Sequence, residues 1–206
     1  VGPNCIGMLN FGSKAGVTFM IPPPMEAPLP QALGLVSQSG ALGFSLAQAV
    51  MRGVSVSHLL TTGNSSDIDV ADCVSFLADD PACRAIACVF EGMPDPMRFI
   101  EAAQIADAAN KPLVVFKLGT GEQGAAAAMS HTGSLAGSQA AYRAAFERAG
   151  AILVDNFEAM VETASFLAKA PPPKARGVAV VAVSGGAAIM SADRAEERGI
   201  PLPQPT

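Results

Sequence analysis

Met129-Ser130-His131-Thr132-Gly133-Ser134-Leu135-Ala136-Gly137-Ser138 is a run of small, hydroxylated and flexible residues with one imidazole near its start. Glycine carries no steric penalty in unusual backbone conformations, so a loop of this composition lets the main chain approach a ligand and leaves the His131 ring free to swing. Imidazole is the side chain best suited near neutrality to act as acid, base or nucleophile. The same residues also suit a loop histidine bonded to nearby backbone. Three further stretches carry groups that a reactive imidazole could use: Ser37-Gln38-Ser39-Gly40, Glu91-Gly92 and Ser184-Gly185-Gly186. A helix N-terminus offers unpaired N–H groups and about half a positive charge, which makes an anion site. Two of them facing His131 would hold a phosphoryl group without lysine or arginine. Glu91 could then accept a hydrogen bond from one ring nitrogen and leave the other free to attack. Each part has a plainer reading: a Ser/Gly turn serves as an N-cap, and Glu91 as a solvated charge. Gly63-Asn64 and Asp67 read as turn and first-turn residues, Lys117 as an exposed charge, and His58 as a structural residue inside a strand.

The elements that must position these groups repeat one phrase. Leu33-Gly34-Leu35-Val36 is a short apolar strand, followed by the polar turn at 37–40 and an Ala/Leu-rich helix to about Arg52. Val56 to Thr62 reads as a strand, with a helix from about Asp67 to Ala78. Residues 84–90 read as a strand ending at Glu91, with a helix from Asp95 to about Asn110. Residues 112–117 form the next strand, and the histidine loop follows. A helix from about Gly137 to Ala149, a short strand at 151–154 and a helix from Asn156 to Lys169 complete the series. Apolar strands without alternation, separated by helices, call for a parallel sheet covered on both faces. The reading is α/β, a flavodoxin-like doubly wound domain over 31–169, with ligands outside the carboxyl ends of its strands. Prolines at 22–30 deny both helix and central strand, so residues 6–30 read as an extended connector. Residues 170–176 are a Pro-rich linker. Residues 177–183 then read as a buried strand that opens a second, incomplete unit of the same kind over 177–206.

Composition narrows the function. The chain has 206 residues, 50% hydrophobic and 15% charged, with a net charge of -5. That acidity argues against nucleic acid, which needs a concentrated basic footprint, and one Tyr with no Trp removes the usual stacking platforms. No apolar stretch approaches the roughly 20 residues of a membrane span. Cys5, Cys73, Cys83 and Cys88 form no Cys-x-x-Cys pair and have no close His, so no zinc site is expected. Buried free thiols in a reducing, cytoplasmic setting are expected instead. The first residue is Val1, so the sequence reads as a piece of something longer.

Gly2-Pro3-Asn4-Cys5, Val36-Ser37-Gln38-Ser39-Gly40-Ala41-Leu42-Gly43, Glu91-Gly92, residues 130–137 and Ser184-Gly185-Gly186 together resemble the nucleoside-diphosphate-forming acyl-CoA synthetases, relatives of succinyl-CoA synthetase. The resemblance spans essentially the whole chain. It implies that His131 is the phosphorylated histidine and Glu91 its orienting carboxylate. Ser37, Gln38, Ser39, Gly40, Thr132, Gly133, Ser184, Gly185 and Gly186 would surround the phosphate. Asn4 and Cys5 would lie on the CoA side, with residues 1–30 as the tail of a CoA-binding domain and its connector. In that family an acyl-CoA and phosphate give an acyl phosphate, whose phosphoryl passes to histidine and then to a nucleotide. CoA and ATP or ADP with Mg are thus substrates of the full enzyme, and no cofactor or metal is expected to be bound by this chain. The implied partners are a CoA-binding Rossmann domain, an ATP-grasp domain or subunit and a small carboxylic acid, in a homo- or hetero-oligomer. Residues 119–124 carry an acid and no base, so a basic contact to CoA or phosphate from that loop is not expected. Two other functions compete: a non-catalytic acyl-CoA-sensing module of a protein lysine acetyltransferase, and a flavodoxin-like domain for another anionic ligand. Retention of His131 with Glu91 favours the enzyme, and the lack of aromatic stacking residues speaks against FMN.

Overall fold

Five apolar strands lie side by side and parallel: β3 (Leu33–Ser37), β4 (Val56–Thr61), β5 (Ala85–Phe90), β6 (Leu113–Lys117) and β7 (Ile152–Leu153). A computed structural model of the chain describes residues 2–132, 139–170, 173 and 176–203. It divides into two units, Val1–Ala170 and Pro171–Thr206. In the first unit the parallel strands run in the order β4-β3-β5-β6-β7. Numbered along the chain that is second, first, third, fourth, fifth, the flavodoxin-like order.

Burial explains why these runs are strands. Every residue of β5 is buried, because helices cover both faces of the sheet. Ile86, Cys88 and Phe90 point into one core layer with Leu77 of α2 (Val70–Asp79), Phe99 of α3 (Pro96–Ala108) and Phe146 of α5 (Gln139–Arg148). Ala85, Ala87 and Val89 point into the other, with Phe44 of α1 (Gly40–Ala47) and Met160 of α6 (Phe157–Lys169). A residue-by-residue alternation of faces is what a pleated strand imposes. Local chemistry starts the helices. Asp69 and Asp72 form a reciprocal capping box on α2, and Asn156 accepts from Ala159 N–H at 2.7 Å to open α6. Arg98 of α3 binds both Asp69 and Asp72, fastening α3 to the start of α2. Cys73, Cys83 and Cys88 are buried free thiols, and burial pushes the first two up to about 12 and about 11. Among the described residues no helix is long and apolar enough to cross a membrane.

Three expectations need correction. Residues 6–30 are not simply an extended connector: β1 (Gly7–Asn10) and β2 (Ala15–Thr18) form a hairpin, and β1 pairs antiparallel with β4. The prolines begin only at Pro22, so they do not bear on residues 7–18. The Asn10 carboxamide closes the turn by accepting from Ser13 N–H at 2.9 Å, and Lys14 takes a left-handed φ of 56°. A helix, α4 (Glu122–Thr132), occupies part of what reads as loop. Four consecutive alanines at 125–128 supply the best helix propensity available and outweigh the flanking glycines. In the second unit, described by itself, residues 177–183 form no strand, and Val181 and Val183 are fully exposed. A strand needs a neighbour's main chain, and among the described residues the segment makes only an isolated bond, from Val178 N–H to Pro201 C=O at 3.0 Å. The helix α7 (Gly185–Glu197) does form, capped by Ser184.

His58 is buried in β4, with Nε2 2.8 Å from the Asn10 amide nitrogen and 3.6 Å from an Asp80 oxygen, and its ring edge-on to Phe76. Burial holds its pKa below the usual histidine value against the opposing pull of Asp80. The folded state therefore resists a proton that the unfolded chain accepts, and stability falls as pH drops below about 6.5. Urea melts at pH 7.5 and 5.5 should show that loss, and His58→Phe should reduce it. The hairpin is testable at Gly7, where φ is 123° and an added Cβ would lie 1.9 Å from Val17 O. Gly7→Ala should lower stability by about 1–3 kcal/mol in the same melts.

Candidate functional site

The helices after β3 and β5 leave for opposite faces of the sheet, which opens a crevice at the carboxyl ends of these two neighbours. Gln38 closes its floor. The carboxamide oxygen accepts from Glu91 N–H at 2.8 Å and Gly92 N–H at 3.2 Å, while Nε2 donates to Gly92 C=O at 2.9 Å. Its main chain joins the same seam, donating to Val89 C=O and accepting from Gly63 N–H, both at 3.0 Å. Gln38 is 4% exposed, so its side chain organises the site through the backbone of Glu91. Ser37, also buried, donates its hydroxyl to Ser39 C=O. Ser39 caps α1, its Oγ accepting from Leu42 N–H at 3.4 Å. Gly40 starts that helix against Ile6, where a Cβ would lie 2.5 Å from Ile6 Cγ1 and 2.9 Å from its backbone nitrogen. The glycine is therefore required by close packing, and it brings the first-turn amides to the crevice.

The segment Gly2–Ile6 supplies the facing wall. Asn4 sits at φ 58°, its amide donating to Asn64 Oδ1 at 3.2 Å, and Asn64 N–H donates to Pro3 C=O at 3.0 Å. Gly63, at φ 62°, fits only without a side chain, since a Cβ would meet Pro3 O at 2.5 Å. The turn at 63–64 is thus an interlocking part of the wall. The Cys5 thiol donates to Thr61 C=O at 2.9 Å and receives Gly7 N–H at 3.2 Å. Asn4, Cys5, Gln38, Ser39, Gly40 and Glu91 all line one cavity of about 330 Å³, together with Ile6, Phe19, Ala41 and Gly63.

Lys117 corrects the sequence reading. It is 7% exposed rather than a solvated charge. Its ammonium donates to Glu91 C=O and to Leu118 C=O, and lies 5.6 Å from the centroid of the Phe90 ring and 5.1 Å from that of Tyr142. Burial lowers its pKa to about 8, with the nearby Glu91 charge pulling the other way. The signal was present: Lys117 shares the face of Leu113 and Val115 at period two, and both are core residues.

His131 and Thr132 are the last two residues of α4, a helical end where a loop is expected. Gly133 and the rest of the run to Ser138 lie outside the described residues. Ser184, Gly185 and Gly186 open α7 in the second unit, with Ser184 Oγ accepting from Ala187 N–H at 3.5 Å. The first unit therefore gathers Asn4, Cys5, residues 38–40 and Glu91 around one cavity.

Comparison with known proteins places this geometry in a family. A model of the succinyl-CoA ligase like flavodoxin domain matches residues 30–167. The alpha subunit of ADP-forming acetate–CoA ligase I from Pyrococcus furiosus is 39% identical over 203 residues, which cover 98% of this chain and 43% of the relative. The ADP-forming 4-hydroxybutyrate–CoA ligase of Nitrosopumilus maritimus is 34% identical, over 98% of this chain and 29% of its own length. Among solved structures, the dinucleotide-forming acetyl-coenzyme A synthetase 1 of Ca. Korarchaeum cryptofilum, in complex with phosphate and ADP, superposes with a TM-score of 0.88. It is 33% identical, over 100% of this chain and 44% of the other. The chain thus spans less than half the length of these relatives. With this sheet order and a match over most of its length, the chain belongs to the succinyl-CoA ligase like flavodoxin domain family.

Proposed function

We propose that this chain carries the phosphohistidine step of an ADP-forming acyl-CoA ligase. The observation that carries the reading is the shared cavity. A helix N-terminus at Ser39-Gly40, the carboxylate-bearing residue Glu91 and the Asn4-Cys5 wall meet at the sheet's topological switch point, in a chain whose relatives are ADP-forming ligases. Those relatives do not favour the acyl-CoA-sensing alternative.

In this reading phosphate attacks the thioester carbonyl of an acyl-CoA, the C–S bond breaks, and CoA leaves as the thiol, giving an acyl phosphate. The free nitrogen of His131 then attacks phosphorus. The P–O bond to the acyl group breaks, a carboxylate departs, and the phosphoryl group rests on the ring. Glu91 accepts the hydrogen bond of the other ring nitrogen, which fixes the tautomer and stabilises the positive charge that develops on the ring. The N-terminus of α1, opened by Ser39 and Gly40, receives phosphoryl oxygens through N–H groups fixed in the helix, and the family resemblance assigns phosphate binding also to Thr132, Gly133, Ser184, Gly185 and Gly186. A nucleoside diphosphate finally takes the phosphoryl group and regenerates His131. Every step reverses. Asn4 and Cys5 lie on the side where the thioester enters.

A CoA-binding Rossmann domain and an ATP-grasp domain or subunit complete the enzyme, with Mg accompanying the nucleotide, in a cytoplasmic homo- or hetero-oligomer acting on a small carboxylic acid. The complete protein, given Mg-ATP, should acquire an acid-labile, base-stable phosphate that His131→Asn abolishes. Glu91→Gln should slow that labelling by roughly 10²–10⁴-fold, the range of a lost acid–base or orienting group. Labelling that persists in His131→Asn would sink the assignment.

A further inference from the structure

Among the described residues Lys117 is the only lysine or arginine that is buried. Withdrawing an ammonium from water costs several kcal/mol unless its donors are met, and a leucine at this register position would continue the core layer of Leu113 and Val115 without that cost. What the lysine adds is a grip on one residue. Its ammonium lies over the rings of Phe90 and Tyr142, and donates to the carbonyl of Glu91 and to that of Leu118. The N–H of the same Glu91 is already held from the opposite side by Gln38, at 2.8 Å. Both main-chain groups of Glu91 are therefore tied, one to the loop after β3 and one to the end of β6. A residue just beyond a strand end would otherwise be free to rotate. Here its Cα–Cβ direction is set by two independent neighbours.

We infer that Lys117 is a positioning residue that, together with Gln38, clamps the main chain of Glu91 so that its carboxylate is delivered to the phosphoryl-carrying imidazole. The inference rests on the phosphohistidine reading above and adds a residue to it. A clamp of this kind sets geometry, and a displacement of about 1 Å in an orienting group costs on the order of 10²-fold in rate.

The test uses the complete enzyme and reads the rate of Mg-ATP-dependent phosphate labelling in a double-mutant cycle. Lys117→Met should slow labelling by roughly 10–100-fold while leaving the apparent KM for ATP within about 2-fold. Lys117→Arg, which keeps N–H donors at that reach, should recover most of the rate, and it also serves where the methionine variant does not fold. In a Glu91→Gln background Lys117→Met should add less than about 2-fold, because a clamp has nothing left to deliver. Wild-type labelling in Lys117→Met, or the same slowing in both backgrounds, would overturn the clamp. Glu91→Gln with a wild-type rate would instead overturn the reading beneath it.

Discussion

One side chain closes the gap that the topology opens. Where α1 and α3 leave for opposite faces of the sheet, the main-chain groups just past β3 and β5 run out of ladder partners. A buried N–H or C=O left unpaired costs about 1–3 kcal/mol. The Gln38 carboxamide meets three of them at once, accepting from two amides and donating to one carbonyl. The same bonds fix the distance between the start of α1 and Glu91. Other features of the cavity follow from that seam, since the wall formed by Gly2–Ile6 packs on the glycine that begins α1.

The electrostatics of the site suit an anion that arrives and leaves. The chain is acidic overall, at -5, and the Ser39-Gly40 wall of the cavity is a helix start rather than an arginine cluster. Main-chain N–H groups carry partial charges in fixed directions, which in the proposed function would stabilise a transient phosphoryl group with little reorganisation. Full guanidinium charges would bind it more tightly and slow its onward transfer. The buried ammonium of Lys117 lies beneath the edge, bonded to carbonyls, and acts through the backbone it holds.

The parallel sheet was legible because its strands are buried on both faces and so appear as unbroken apolar runs, as at 85–90. The turn at 37–40 was legible as a helix start because Ser39 supplies the capping oxygen. Other features depend on partners distant in the chain. Residues 7–18 form a hairpin whose first strand is held by pairing with β4, some 50 residues on, and its two four-residue strands are too short to show a period of their own. Residues 177–183 show the converse, an apolar run that forms no strand among the described residues because no neighbouring main chain pairs with it. The glycines at 119, 121, 124 and 133 give the stretch around the helix at 122–132 the composition of a loop, although the alanines at 125–128 state a helix by propensity alone. Gln38 was visible as a polar residue at a strand end. That its amide would bond to the backbone of Glu91 could not be read, because the contact spans 53 residues.

The same logic of main-chain fastening extends to the N-terminal wall. Thr61, the last residue of β4, donates its hydroxyl to Gly7 C=O and accepts from Gly7 N–H at 3.0 Å, and its carbonyl takes the Cys5 thiol proton. A thiol bonded in this way contributes to the seam, and Cys5 is at the same time part of the cavity lining. Gly63 completes the fastening by letting Pro3 and Asn4 approach where a side chain would keep them away. Two segments far apart in sequence, residues 3–7 and 61–63, are thereby locked together at the carboxyl end of β4. The wall that faces Glu91 and the start of α1 is thus fixed by the same strand ends that carry them.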